Sequence, residues 1–283
     1  MMVNHLAQPG SILEETIAEI SEVLGSEIGT ITIDRIVIGI FFTGVKLSDG
    51  SAGISFTPIK EIPEAVCCPS SARAMPWPGR IRGMPAEEFI RDLPHARPLV
   101  KAVGIAIVNA LSESCRKRHE EDTYLREYGR DALDTVPIPD DGYVVVVGAL
   151  VPVFKRLKVR KTPFGILELD PRTLKPDELP FLIPIDKTHN AIQRADMLII
   201  TGTTLLNNTL EPILAVARPG ISIIVVGPTA SMPPGAFFRR GVTLLGGDIV
   251  THPDSLLDTI AEGGSGYHFF GKSAEKLNVS QLR

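Results

Sequence analysis

The chain has 283 residues, 29 Lys or Arg against 33 Asp or Glu, and a net charge of −4, which excludes a general binder of the phosphate backbone. Hydrophobic residues at 44% and charged residues at 22% exclude a chain disordered over most of its length. The apolar strand-like runs, such as Tyr143–Val147 and Met197–Ile200, are too short to cross a bilayer, and the N-terminus MMVNHLAQPG has no signal-peptide pattern.

Residues 11–24 read as an amphipathic helix. Ser11 and Glu14 have capping-box spacing, Leu13, Ile17, Ile20 and Leu24 recur on one face, and Gly25 stops it. Thr32–Val45 and Ser51–Phe56, separated by the turn Ser48-Asp49-Gly50, predict an antiparallel hairpin. Residues 58–85 contain six prolines, Cys67, Cys68 and Trp77, and predict a long loop. Pro85 opens a predicted helix to Leu93. Pro98 opens another to Leu111, nearly all apolar from Ala102 and therefore buried, with Asn109 as its polar exception.

Punctuation near 135–142 divides an α+β domain, residues 1–138, from an α/β domain, residues 139–283. In the latter, strands are expected at 143–147, 165–169, 197–200, 222–226 and 242–245. Helices are expected at about 153–158, 186–195, 205–216, 234–240 and 253–261. That alternation predicts a parallel sheet.

Ligands of such sheets bind beyond the carboxyl ends of the strands. Those ends carry Gly148, Asp170, Thr201-Gly202-Thr203-Thr204 with Asn207, Gly227-Pro228-Thr229 and Gly246-Gly247-Asp248. Small residues admit a ligand to the backbone, and hydroxyls bind its polar atoms; the alternative is a set of plain βα turns capped by one Thr. No G-x-G-x-x-G follows the first strand, and Pro152 crowds the start of its helix, so pyrophosphate binding is disfavoured. Asp170, 22 residues after Gly148, suits a ribose.

Cys67, Cys68 and Cys115 make a poor disulfide framework and fit a reducing, cytoplasmic setting. Cys67 and Cys68 are candidate metal ligands or else core thiols. Arg80 and Arg82 suit an anion or are solvated loop charges. Asn109 either binds ligand or ties down a loop.

Together, Gly148, Asp170, Ala195-Asp196, the TGTTLxNxT stretch Thr201–Thr209, Gly227-Pro228-Thr229, Thr43–Gly50, Gly83–Pro85 and Gly104–Leu111 resemble the putative heavy-metal chelation family, formerly a domain of unknown function. Asn208 stands where that pattern has a small Gly. The resemblance implies an enolase-N-terminal-like domain joined to a Rossmann-like domain, with a ligand cleft between them.

The expected function is a cytoplasmic small-molecule-binding protein or enzyme with a role in heavy-metal chelation or metallocofactor handling. The alternatives are a nucleotide- or adenosyl-cofactor-dependent transferase or oxidoreductase using the same strand edge, and a non-catalytic metal-binding module. The expected ligand is a transition metal or metal chelate ahead of a nucleotide. It would be held by Gly148, Asp170, Thr201, Gly202, Thr203, Thr204, Asn207, Gly227, Pro228, Thr229, Asn109 and Arg80, with Cys67 and Cys68 as metal ligands. Nucleic acid and membrane are not expected partners; a homo-oligomer is compatible with the sequence.

Overall fold

The computed structural model describes residues 10–61, 75, 77–118 and 123–282. Helix α1 (Ile12–Leu24) begins with the expected capping box: Ser11 accepts from the Glu14 N–H, and Glu14 accepts from the Ser11 N–H at 2.6 Å. Its Ile12, Leu13, Ile20 and Leu24 are buried. Strands β1 (Ile33–Ile38), β2 (Phe42–Leu47) and β3 (Ala52–Phe56) form an antiparallel three-stranded sheet, so the expected hairpin is a meander. The long first strand breaks at Gly39, where a Cβ would fall 2.6 Å from the Ile260 carbonyl oxygen.

Helix α2 (Pro98–Arg118) runs seven residues past the predicted end. By length and composition it would reach across a membrane, but 78% of its apolar window is buried inside the protein. It lies on β3 at Gly53, where a Cβ would fall 2.4 Å from both Ala106 O and Ala110 N. The predicted helix from Pro85 to Leu93 is instead two short 3-10 turns, Ala86–Phe89 and Leu93–His95. Proline at 85 and 94 supplies no N–H to continue a helical ladder.

The second sheet has seven strands, two more than predicted. Strand β4 (Tyr124–Tyr128) precedes α3 (Ala132–Thr135) and β5 (Val144–Val147). After α4 (Val151–Arg160) come β6 (Phe164–Leu167), α5 (Thr188–Arg194), β7 (Met197–Thr201), α6 (Leu210–Val216), β8 (Ser222–Val226), α7 (Gly235–Phe238) and β9 (Leu244–Val250). Helices α8 (Pro253–Ala261) and α9 (Gly266–Phe269) lead to β10 (Ala274–Gln281). The order is β4-β10-β9-β8-β7-β5-β6. The five predicted strands, β5 to β9, are mutually parallel as expected. The unpredicted β10 and β4 extend the sheet antiparallel beyond β9. Strand β4 pairs in this sheet although it precedes the boundary expected at 138/139.

Side-chain alternation splits the core. Val144, Val146, Met197, Ile199 and Ile224 face α4, whereas Val145, Val147, Leu198, Ile200 and Val225 join a cluster continuous with α1 and α2. The smaller domain is thus fused to one face of the large sheet by a shared apolar core. This is a mixed α/β, Rossmann-like architecture. The topological switch point lies between β5 and β7, where the chain turns outward in opposite directions.

Candidate functional site

Outside the carboxyl ends of β5 to β8 lies a cleft of about 780 Å³. Gly148, Asp170, Thr201, Gly202, Thr203, Asn207, Gly227, Pro228 and Thr229 all line it. The facing wall comes from the smaller domain: Phe42, Phe56 and the segment Pro58–Glu61. Most of the residues expected at the strand edge therefore converge, and they do so between the strand ends of the large sheet and the segment following the three-stranded one.

Gly148 marks the switch point. Its φ is +94°, and a Cβ would sit 2.5 Å from Thr201 Cγ2, so this position must be bare. The backbone at the end of β5 is thereby left open to the cleft. Gly227 has φ +115° and turns the chain into Pro228-Thr229.

The threonine segment partly serves itself. Residues Gly202–Leu205 form a 3-10 turn and α6 begins only at Leu210, so the segment does not open the expected helix at 205. Thr201 Oγ1 accepts from the Thr203 N–H at 3.4 Å and lies 3.2 Å from Thr203 Oγ1. Thr204 donates to Thr201 O at 2.7 Å and is buried, lining a neighbouring cavity rather than the cleft. Asn207 Oδ1 accepts from Thr209. Asn208 holds the left-handed conformation, φ +57°, that a Gly would supply. Its side chain also accepts a hydrogen bond from Lys101 Nζ. Burial lowers the pKa of that lysine, whose ammonium also donates to Pro94 O at 3.1 Å.

Three expected ligand residues do not face the cleft. Asn109 is buried beneath it; its Nδ2 lies 2.7 Å from Ile54 O, 3.0 Å from Pro228 O and 3.2 Å from Thr229 O. It ties the loop after β8 to the smaller domain. Thr204, as described, braces its own turn. Arg80 is exposed on a turn closed by its N–H to Trp77 O, away from the cleft lining. Arg82 likewise pairs with Asp34 at the surface. Cys67 and Cys68 lie outside the described residues.

Asp170 is in the cleft but already engaged. Arg172 and Lys60 donate to its carboxylate, at 2.8 and 2.5 Å, and hold it well below the usual carboxylate range. It also accepts from the Arg172 N–H. A ribose would have to displace these partners.

Sequence reasoning missed Lys60, Glu61, Asp131, Glu168, Arg172, Lys276 and Asn278, all of which line the cleft. Glu168 had a signal: it stands 20 residues after Gly148, nearer than Asp170 to the spacing of a sugar-binding acid. Lys276 and Asn278 had none, because their place depends on β10 pairing with β9. That pairing also extends β9, so Gly246 and Gly247 lie within a strand rather than ending it, yet still border the cleft.

Residues 131–279 match the DUF364 family and residues 21–112 match DUF4213, both described as putative heavy-metal chelation. The chain belongs to this heavy-metal chelation family. An uncharacterized protein of Methanocaldococcus jannaschii is 29% identical over 189 residues, covering 66% of this chain and 69% of that protein. Two solved structures of DUF364 proteins share the fold. One, from Pyrococcus horikoshii, has a TM-score of 0.72 at 18% identity and covers 95% of this chain and 100% of its own. The other, from Desulfitobacterium hafniense DCB-2, has a TM-score of 0.66 at 15% identity and covers 93% and 100%.

The family description calls for metal ligands. Among the described residues, no group of three or more His, Cys, Asp or Glu is placed to hold an ion. Cys115 is buried, and burial pushes its thiol up to about 11, the reverse of a thiolate ligand. The described residues therefore do not fit a heavy metal bound directly by side chains. What the cleft offers is hydroxyls, open backbone, carboxylates and three cations, set among apolar walls.

Proposed function

We propose that this heavy-metal chelation family member binds a small organic molecule in the interdomain cleft, either a metal chelate or a metallocofactor precursor. The observation that carries this reading is the cleft itself, with bare strand ends on one side and Phe42, Phe56 and Lys60 on the other. Its groups suit the organic part of a chelate: Lys276, with Lys60 and Arg172 already on Asp170, for a carboxylate, hydroxyls and open backbone for polar atoms, aromatic and aliphatic walls for carbon. The metal then travels as cargo on its chelator.

The test uses full-length protein purified without chelator, with elemental analysis and native mass spectrometry on one sample. Thermal shifts with Ni²⁺ and Co²⁺, as bare ions and as citrate chelates, complete it. The expected result is metal only together with an organic mass, or stabilisation by chelates alone, abolished in Ala149→Trp, which fills the cleft wall. Stoichiometric metal with no organic mass, lost in Cys67→Ser or Cys68→Ser, would sink this reading. So would binding unchanged in Ala149→Trp.

A further inference from the structure

A second cavity, of about 700 Å³, opens on the other side of the switch point. It lies between the ends of β5, β6 and β7, the segment Leu182–His189, and helices α5 and α6. Its walls are largely apolar, with Leu182, Ile183, Ile192, Ile213 and Val216 prominent. Two large apolar side chains at its border are unusually bare: Ile185 is 85% exposed and Leu169 72% exposed.

The two cavities are not separate sites. Gly148, Glu168, Leu169, Thr201, Thr203 and Asn207 line both. A single molecule can therefore cross the switch point over the bare Gly148 backbone, with one part in each cavity.

Glu168 sits at that crossing. It follows the last residue of β6, the second strand of the parallel set, where an acid meets sugar hydroxyls in doubly wound nucleotide-binding sheets. Its Oε1 accepts from the Asp170 N–H at 2.9 Å, which fixes the carboxylate. Its other oxygen takes no hydrogen bond among the described residues. Asp170, by contrast, has both oxygens committed to Arg172 and Lys60.

The local chemistry also limits phosphate groups on such a ligand. Helix α4 carries Pro152, which has no N–H to offer, in its first turn, and the glycine-rich loop of a pyrophosphate cradle is missing. We infer that the two cavities form one two-lobed site for a nucleoside lacking a pyrophosphate, with its base among Leu169, Ile185 and Ile213 and its sugar hydroxyls on Glu168. Any 5′ substituent points into the interdomain cleft. This inference rests on the cleft being the ligand site; it makes a nucleoside the organic part of the chelate or precursor proposed above and adds a second lobe.

Calorimetric titration of the full chain with adenosine, guanosine, cytidine and uridine tests it, alongside 2′,3′-dideoxyadenosine and its counterparts. At least one ribonucleoside should bind in the millimolar range or tighter. Glu168→Ala and the dideoxy analogue should each weaken it about tenfold or more, as expected for a lost hydrogen bond to a charged group. Combined, the two changes should cost little more than either alone, because they remove the same contact. Ile213→Trp, which fills the apolar lobe, should abolish binding. Circular dichroism and Tm check that both variants fold; should either not, the dideoxy series on the unaltered chain decides the sugar contact.

Absence of binding by all four ribonucleosides would overturn the inference. So would binding indifferent to the sugar hydroxyls. If Ala149→Trp still removes a co-purified ligand or chelate while nucleosides fail, the cleft reading survives and the nucleoside lobe does not.

Discussion

Lys60 Nζ lies 2.5 Å from Asp170 Oδ2, linking the segment after β3 to the turn after β6 across the cleft. The pair joins the two walls of the site, and Arg172 shares the same carboxylate. Both cations hold Asp170 ionised, with a pKa below the usual carboxylate range. A depressed carboxyl pKa gives a contribution present above the unfolded value and lost only as pH falls through the folded one. The link should therefore persist throughout the neutral and mildly acidic range. Exposed pairs of this kind contribute little to stability. Lys60→Ala should leave Tm nearly unchanged, and hydrogen exchange should speed up in the Pro58–Glu61 segment. A large loss of Tm would show that the contact is structural instead.

Asn109 should matter more to stability than to ligand. Replacing it with Leu leaves Ile54 O, Pro228 O and Thr229 O short of a buried donor. The expected cost is about 1–3 kcal/mol in urea unfolding. Asn109→Asp should be worse than Leu, because a carboxylate would face three carbonyl oxygens. If Asp proved the milder change, the side chain would not be donating as described.

Asp248 should make the protein less stable as pH rises through the weakly acidic range. Burial raises its carboxyl from the ordinary aspartate value, about 4, to about 6. A raised carboxyl pKa means that the folded state binds the proton more tightly, so stability falls between about pH 4 and 6. The local geometry favours the protonated form. Ser231 Oγ lies 2.8 Å from Pro228 O and 2.5 Å from Asp248 Oδ1, and its one proton serves only one of them. A protonated Asp248 can donate to Ser231 while Ser231 donates to Pro228. Asp248→Asn should flatten this slope and gain on the order of 3 kcal/mol or less at pH 7. Denaturation curves at pH 4, 5, 6 and 7 check it; an unchanged slope would assign the pH dependence to other groups.

Gly53→Ala should be strongly destabilising. The new methyl would strike backbone atoms of α2 at 2.4 Å, and neither strand nor helix can withdraw without opening the smaller domain's core. The expected loss is about 3 kcal/mol or more, read from the urea midpoint. A neutral result would mean that α2 rides loosely on β3.

Cys115 should resist alkylation in the folded protein. Its thiol is buried and raised to about 11, so little thiolate forms at pH 8. Iodoacetamide followed by peptide mass spectrometry should label Cys115 only after urea is added.

The sequence by itself determined the elements whose cause is local. The capping box of α1, the apolar strands β5 to β9 and the glycines and threonines at their ends are all written in short-range patterns. Parallel pairing then sends those strand ends to one edge, which is why most expected site residues share the cleft. Only the tertiary structure decided which polar groups remain for a ligand. Asn109 and Thr204 are spent on protein partners, and Asp170 on two cations that lie elsewhere or two residues away. Likewise, β10 becomes a strand by adding to β9, with β4 adding in turn to β10, and β10 brings Lys276 and Asn278 to the site. A hydrogen bond is satisfied by whatever partner folding brings near, and that partner is often more than a hundred residues distant. Residue type and spacing therefore placed the site, while long-range contacts determined which atoms in it are open.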